Sequence, residues 1–283
     1  MLRSWAADDA RRVLGRPTAH DDKYSRGVVG LRTGSRQFPG AAVLGVEGAW
    51  RTGIGMVRYL GPARPTRLVL ARRPETVTAG GRVQAWVIGS GTSSEDRTDA
   101  ETRMLRHVLD GPDPVVVDAG AIDLAASATA PLVITPHAGE HAKLRAALGL
   151  DPDGARSAAG AAETAAALDA VVLLKGATTV VASPEGWECE IEAPTSWLAT
   201  AGTGDVLAGI LGAVTAGAAA RRATVSLAAC AATAAWLHGQ AAQTASEAVA
   251  GGPITALDVA EHLPLVVGRL LGGPETTPML IES

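Results

Sequence analysis

Short runs of aliphatic, mostly β-branched residues alternate along this chain with longer segments that are rich in alanine. Several runs are continuously apolar, which is typical of strands buried on both faces of a sheet. Strands that alternate with helices form a mostly parallel sheet covered by helices on both faces. The sequence therefore predicts an α/β fold, with its ligand site at the carboxyl ends of the strands. The predicted strands are residues 28–31, 67–71, 85–88, 115–117, 132–134, 171–175 and 179–182; the predicted helices are residues 40–52, 99–109, 139–148, 155–168, 205–216 and 224–244.

The composition indicates one folded domain. The chain has 283 residues, of which 47% are hydrophobic and 19% are charged, and no Pro/Ser-rich linker divides its middle. These values argue against disorder and allow a substantial core. We expect a helical lead-in over residues 1–22, a single domain over residues 23–271 and a flexible tail over residues 272–283.

Charge and cysteine content narrow the function classes. The formal net charge of -4 gives no general case for nucleic-acid binding. The two cysteines form neither a Cys-x-x-Cys pair nor a disulfide framework, which favours a cytoplasmic protein. Asp8 and Asp9 stand where a signal peptide needs apolar residues. Residues 224–237 are too short and too alanine-rich to span a bilayer, so we expect a buried helix there and no membrane partner.

A glycine-rich turn leads directly into an apolar helix at Gly202-Thr203-Gly204-Asp205. The two glycines allow a tight turn and a close approach to a ligand, and the free amides of a helix start favour phosphate. A carboxylate at such a place suits removal of a proton from a hydroxyl that attacks a phosphoryl group. Asp205 is therefore the first candidate catalytic residue. The alternative is an ordinary loop in which Asp205 caps a structural helix.

A lysine at the end of a buried strand is the second candidate. Lys175 closes an apolar run and is followed by Gly176. Burial of an ammonium is costly unless it faces a cleft or an anion, so Lys175 could meet a phosphate while Thr178 and Thr179 supply hydroxyls. The alternative is a strand-end lysine that reaches solvent along its flexible stem.

Two histidines flank a glutamate after another predicted strand. His137, Glu140 and His141 follow Pro136, which stops the strand. The order of these residues is not that of a His-Glu-x-x-His zinc site, and no third ligand is evident. Metal binding by the two histidines is therefore the weaker interpretation. We expect Glu140 at the positive end of a helix, His137 directed into the pocket and His141 on the surface.

Five motifs occur in order between residues 27 and 271: GSRQFPGAA, RTGIGMV, TPHAGEHAKL, LLKGATTVVA and ATAGTGDVLAGIL. Together they resemble the ribokinase-like superfamily and, within it, the NAD(P)H-hydrate dehydratase family, which is related to the carboxyl-terminal domain of bifunctional repair enzymes. The Thr-Pro-His-x-Gly-Glu signature favours the dehydratase over related kinases of thiazole, pyrimidine or pyridoxal substrates.

The resemblance implies repair of hydrated NADH or NADPH: a nucleotide phosphorylates the ring hydroxyl, and the phosphate then leaves to restore the dihydropyridine. It implies that Asp205 activates the hydroxyl and that Ala41 and His137 line the hydrated-cofactor site. It also implies that ADP, or ATP, is the phosphoryl donor and that Mg²⁺ bridges the phosphates; we assign no protein residue to the metal. The family further implies a homo-oligomer, and we suspect a tetramer. The residues implied to contact the nucleotide are Lys175, Gly176, Ala177, Thr178, Thr179, Gly202, Thr203 and Gly204.

The chain departs from the family pattern at several positions. Ser93 replaces a glycine in the loop after the central strand, and Gly120 stands where a second carboxylate is usual. Thr195-Ser196 replaces an Asn-Pro pair, and Phe38 replaces a tyrosine. A small-molecule kinase that transfers phosphate and stops there, and a nucleotide-binding scaffold without repair activity, are the alternative functions.

Overall fold

A nine-stranded sheet forms the centre of the computed structural model, which describes residues 3–272. Its strands are β1 (Arg3–Ser4), β2 (Val28–Arg32), β3 (Met56–Tyr59), β4 (Ala85–Ile88), β5 (Val115–Val117), β6 (Leu132–Ile134), β7 (Val171–Leu174), β8 (Thr178–Ala182) and β9 (Glu188–Glu192). The strand order is β1-β9-β8-β7-β6-β5-β4-β2-β3. Neighbours are parallel except at β7–β8 and β8–β9, which are antiparallel.

Helices cover both faces of this sheet. They are α1 (Ala7–Val13), α2 (Gly40–Arg51), α3 (Ala63–Arg72), α4 (Asp99–Leu109), α5 (Ala138–Ala147), α6 (Ala158–Leu168), α7 (Thr203–Ala220), α8 (Leu227–Ala248) and α9 (Ala256–Leu270). On one face α2, α7, α8 and α9 build one core, and on the other face α4, α5 and α6 build a second. The predicted α/β architecture is confirmed.

The central strands bury both of their faces, which explains their continuous apolar sequences. In β5, Val116 lies in the core of the α7 face, whereas Val115 and Val117 lie in the core of the α4 face. Successive side chains of a strand point to opposite faces, so each must be apolar here.

Glycines let α2 and α7 approach closely. A Cβ on Gly209 would lie 2.0 Å from the carbonyl oxygen of Gly45, and one on Gly48 would lie 2.4 Å from that of Val206. No side chain fits at such distances, so the two backbones touch. This contact fixes the start of α7 beside α2.

The strand predicted at residues 67–71 is wrong, because these residues belong to α3. A short apolar run fits a strand or one face of a helix, and periodicity alone does not separate the two. Pro65 and Val69, one helical turn apart, are buried, whereas Leu68 and Leu70 are exposed. The helix therefore buries one stripe rather than the whole run.

Four elements were not predicted from the sequence: β1, which lies in the lead-in expected to be helical, β3, β9 and α9. In β9, Cys189 and Ile191 are buried between more exposed glutamates, a period of two that marks a strand with one apolar face. Helix α9 begins with a capping box in which Thr255 and Asp258 satisfy each other's backbone amides.

The predicted lead-in contributes to the same sheet and core. Strand β1 pairs with β9, and Ala10 and Val13 of α1 lie in the core with α8. Residues 273–283 of the predicted tail lie outside the described residues. Among the described residues, α7 has the length and apolar composition of a membrane span, but 78% of it is buried inside the protein, as a core helix would be.

Candidate functional site

The ends of β5, β6 and β7 bring three ionisable side chains to one edge of the sheet. Asp118 directly follows β5 and Lys175 directly follows β7. His137 follows shortly after β6 in the chain and forms an isolated β-bridge with Lys175. The Lys175 amide donates to the carbonyl of Pro136 at 2.9 Å. This is the carboxyl edge of the parallel strands, where the sequence predicts ligand binding.

Lys175 turns inward rather than toward solvent. Its Nζ donates to Asp118 Oδ1 at 2.8 Å and lies 3.9 Å from Glu140 Oε2. Burial lowers the pKa of Lys175, but the charges of Asp118 and Glu140 outweigh it and hold that pKa above its usual value. The lysine therefore stays charged at the site, and the alternative of a solvated strand-end lysine does not apply.

Asp118 is held by hydrogen bonds on both carboxylate oxygens. Ser90 Oγ donates to Oδ2 at 2.9 Å, and Thr135 Oγ1 donates to Oδ1 at 2.8 Å. The carboxylate is buried, so these donors and Lys175 together offset the cost of removing its charge from water. Asp118 thereby fixes the position of the Lys175 ammonium.

The start of α7 lies beside this ammonium. Gly202 has a φ of +91°, which favours glycine, and α7 begins at Thr203, two residues before the predicted start at 205. Thr203 Oγ1 donates to the carbonyls of Leu198 and Thr200 at 2.9 Å each. A Cβ on Gly204 would lie 3.7 Å from Lys175 Nζ. The free amides of the first turn and the ammonium together form a place for phosphate.

Asp205 lies in the first turn of α7 and is not its cap. The N-cap is Gly202, which has no side chain to cap with, so the alternative of a purely structural capping aspartate does not apply. Burial, and then the charge of Asp118, raise the pKa of Asp205 to about 7, against the opposing effect of Lys175. A carboxylate with that pKa is a competent base near neutral pH.

His137 caps α5 through its ring. Its Nδ1 accepts from the amides of Gly139 at 3.0 Å and Glu140 at 3.2 Å, while Glu140 Oε2 accepts from the His137 amide at 2.9 Å. Because Nδ1 is an acceptor, the neutral ring carries its proton on Nε2. Within residues 3–272, no group of three or more His, Cys, Asp or Glu side chains could hold a metal.

His141 is buried, so its predicted place on the surface is wrong. Its ring nitrogens lie 2.8 Å from the carbonyl of Ala155 and 2.8 Å from Thr164 Oγ1. Burial lowers the pKa of His141, so the ring is a neutral part of the α5–α6 packing. The local sequence around His141, the fourth residue of α5, does not show whether the ring lies on the surface or in the interior.

A cavity of about 500 Å³, called here the main cavity, opens beside Lys175 and the start of α7. Its volume suits a nucleotide. Of the residues predicted to contact one, Lys175, Gly176, Ala177, Thr179, Thr203 and Gly204 line it, together with His137. It is further lined by Ile191, Glu192, Ala193, Thr195, Ser196, Leu198, Ala199, Leu207, Ala235, His238 and Gly239.

The other predicted site residues lie around this cavity rather than in its wall. Thr178 is exposed at the start of β8, and Gly202 lies behind the first turn of α7. Ala41 lies in the first turn of α2 next to the loop after β4, where a Cβ on Gly91 would lie 2.2 Å from the Ala41 Cβ. Asp205 is not among the residues that line the main cavity either; it follows Gly204, which does.

Sequence reasoning missed two polar residues of this site. Asp118 was not among the predicted site residues, although an aspartate directly after three buried valines is itself a signal for a strand-end site. His238 on α8 lines the main cavity, and burial lowers its pKa to about 4, which keeps it neutral. It stands alone in an alanine-rich helix, and no spacing pattern in the sequence pointed to it.

The glycine at position 120 has a steric reason. A Cβ there would lie 2.4 Å from the carbonyl oxygen of Thr92, so a carboxylate side chain does not fit. Arg97 Nη1 instead donates to the Gly120 carbonyl at 2.6 Å. The loop after β4 packs directly on this backbone.

Comparisons with known proteins agree with this geometry. The sequence pattern of a family described as NAD(P)H-hydrate dehydratase matches residues 29–265. A bifunctional NAD(P)H-hydrate repair enzyme from Mycobacterium tuberculosis is 44% identical over 210 residues, which are 70% of this chain and 42% of that protein. The chain thus spans less than half the length of this relative.

Two further similarities come from Bacillus subtilis. Its ADP-dependent (S)-NAD(P)H-hydrate dehydratase is 31% identical over 223 residues, 73% of this chain and 79% of that protein. The crystal structure of the ADP/ATP-dependent enzyme, co-crystallised with ATP/Mg²⁺, aligns with a TM-score of 0.81 at 27% identity, covering 95% of this chain and 99% of the other. The resemblance inferred from the five motifs is confirmed, and the chain belongs to the NAD(P)H-hydrate dehydratase family.

Proposed function

We propose that this chain dehydrates hydrated NADH or NADPH in a reaction driven by phosphoryl transfer from a nucleotide. One observation carries the proposal: a half-buried carboxylate, Asp205, whose pKa is raised to about 7, lies in the first turn of α7 next to Gly204, which lines a nucleotide-sized cavity together with Lys175. A base next to a phosphate site is what activation of a hydroxyl for phosphoryl transfer requires.

The chain's own residues supply two functions in this reaction. Asp205 takes the proton from the ring hydroxyl, whose oxygen then attacks the terminal phosphorus of the nucleotide. The first-turn amides at Gly204 and the Lys175 ammonium stabilise the negative charge on the transferring group. The C–O bond to the phosphate then breaks while the adjacent ring carbon loses a proton, so that free phosphate leaves, the ring C=C bond forms and the dihydropyridine is restored.

The donor lies in the main cavity, with its phosphates at Lys175 and its nucleoside toward β9 and residues 193–199. We infer ADP as the donor because the B. subtilis relative is ADP-dependent. Mg²⁺ keeps several waters and is bound through phosphates and one or two carboxylates. The ion would neutralise phosphate charge at this site. Glu140 lies 3.9 Å from the Lys175 ammonium and accepts from the His137 amide, so we assign no protein ligand to the ion.

We also propose a cellular location and an oligomeric state for the protein. Cys189 and Cys230 are free and buried, which suits a reducing cytoplasm. The resemblance implies a homo-oligomer, with a tetramer as the suspected form, and sedimentation of the pure protein would measure its mass.

Product stoichiometry separates a dehydratase from a kinase. The enzyme is given hydrated NADH, Mg²⁺ and ADP, and three products are quantified: NADH, AMP and free phosphate. We expect the three to form in equal amounts. Accumulation of a stable phosphorylated hydrate without free phosphate would instead identify a kinase, and no consumption of ADP would identify a scaffold.

A further inference from the structure

A second cavity shares no lining residue with the main cavity. It has a volume of about 690 Å³ and is formed by the loop after β2, the start of α3 and the loop before α4. Its wall carries hydroxyls from Ser35, Thr92 and Ser93 and the guanidinium groups of Arg36 and Arg64. We call it the second cavity.

The loop after β4 connects the reaction centre to the wall of the second cavity. Ser90 in this loop donates to Asp118, the partner of Lys175, and its carbonyl accepts from the Gly34 amide at 2.7 Å. The next residue, Gly91, has a φ of +64° and packs against Ala41. Beyond it, Thr92 enters the wall of the second cavity.

The substrate is longer than the space at Asp205. In the proposed reaction the phosphoryl donor fills the main cavity up to Gly204, so the dinucleotide has to leave the reaction centre on the Ala41 side. The glycines at 34, 89 and 91 all have positive φ, and neighbouring protein atoms fill the positions where their Cβ atoms would lie, so the loops after β2 and β4 pack closely beside Ala41. Residues of these same two loops form part of the wall of the second cavity.

The charge of the second cavity suits a phosphate. Neither Arg36 nor Arg64 has a carboxylate oxygen within 4.0 Å in the part of the chain that the structure describes; Arg64 Nη1 donates only to the Arg36 carbonyl, at 3.2 Å. Arg97 differs, because it is paired with Asp123.

Two carboxylates, those of Asp96 and Glu101, also line this cavity. They repel a phosphate but accept hydrogen bonds from sugar hydroxyls, as acidic residues do in dinucleotide sites. A cavity with arginines and carboxylates together matches a nucleotide, which carries both phosphate and ribose.

We propose that the second cavity binds the adenylate half of the hydrated dinucleotide, with Arg36 and Arg64 paired to its phosphates and Asp96 and Glu101 facing its ribose. This inference rests on the proposed function, because it assigns the remainder of the same substrate. It makes Arg36 and Arg64 determinants of substrate length.

The test compares two substrates that differ only in that half: hydrated NADH and the hydrate of reduced nicotinamide mononucleotide. The wild-type enzyme should favour the dinucleotide by roughly 10- to 100-fold in kcat/KM, as charged hydrogen bonds allow. In the double variant Arg36→Ala/Arg64→Ala this preference should fall to a few-fold, through KM, with the KM for ADP unchanged. The matched control is Arg67→Ala, one turn further along α3, which is exposed, makes no ion pair within residues 3–272 and lies outside both cavities.

Three results overturn the inference: equal kcat/KM for the two substrates in the wild type, a preference that survives in the double variant, or the same loss in Arg67→Ala. Failure of the proposed function is distinguishable, because then the wild type converts neither hydrate in the presence of ADP. Both arginines are exposed, so thermal denaturation should show the double variant folded like the wild type.

Discussion

At the scale of single residues, Asp205 carries the proposed chemistry. Its conversion to Asn keeps the size of the side chain and removes the base, so we expect a roughly 10²- to 10⁴-fold loss of kcat with little change in nucleotide affinity. In the wild type, kcat/KM should rise with pH through about 7 and then level off, because the pKa of Asp205 is raised to about 7. Steady-state kinetics and calorimetry measure both effects.

The control for this variant is Asp169→Asn. Asp169 is exposed and has a φ of +50°, a conformation that asparagine also tolerates. Its activity should match the wild type. Unchanged turnover in Asp205→Asn would assign the base to another group.

The same burial makes Asp205 a cost to stability. Its folded-state pKa of about 7 exceeds the unfolded value, so the folded state retains a proton that the unfolded state loses as the pH rises through acidic values. The contribution of Asp205 to the free energy of unfolding therefore decreases as the pH rises from about 4 to about 7. We expect Asp205→Asn to melt at a higher temperature than the wild type at pH 8, with the difference vanishing near pH 4. A variant that melts lower at pH 8 contradicts this assignment.

Lys175 and Asp118 should behave as a coupled pair. Lys175→Met leaves the Asp118 carboxylate buried without its ammonium, at a cost of about 3–5 kcal/mol in unfolding free energy. Adding Asp118→Asn removes that charge and should restore part of the loss, while ADP binding stays weak because the ammonium is missing. Denaturant unfolding of the two single variants and the double variant measures the coupling. Simple additivity would mean that the pair is not coupled.

At the scale of elements, the contact between α2 and α7 positions the base. Gly209→Ala places a methyl group where the Gly45 carbonyl lies 2.0 Å away, so we expect a loss of about 1–3 kcal/mol and reduced kcat. Gly268→Ala in α9 is the control, because nothing lies within 4 Å of its Cβ position. It should stabilise the protein by about 0.5–1 kcal/mol. Equal effects of the two substitutions would show that the helices can move apart.

The secondary-structure elements differ in how well the sequence predicts them. Strands buried on both faces, such as β5, were predicted with their observed bounds, because a short valine run has few other interpretations. The run at residues 67–71 was misassigned, since only tertiary packing decides that Val69 faces the core while Leu68 and Leu70 do not. Strand β9 was missed because its glutamates hide a strand that is apolar on one face only.

At the scale of the whole molecule, the site gathers residues that are far apart in the sequence. The turn before α7 could be predicted because glycines and a carboxylate at a helix start carry their own physical meaning. Asp118 and Glu140 meet Lys175 only through the strand order of the sheet, and Ala41 reaches Gly91 only through a loop contact. Pair contacts of this kind are set by topology, so the local sequence does not contain them.

The most direct test of the central claim is the return of dihydronicotinamide absorbance when the pure protein meets hydrated NADH or NADPH with Mg²⁺. We expect recovery with ADP and none without a nucleotide. We also expect Asp205→Asn to stay inactive under the same conditions while still binding ADP. Recovery that is independent of nucleotide, or none with either ADP or ATP, would show that the proposed function is wrong.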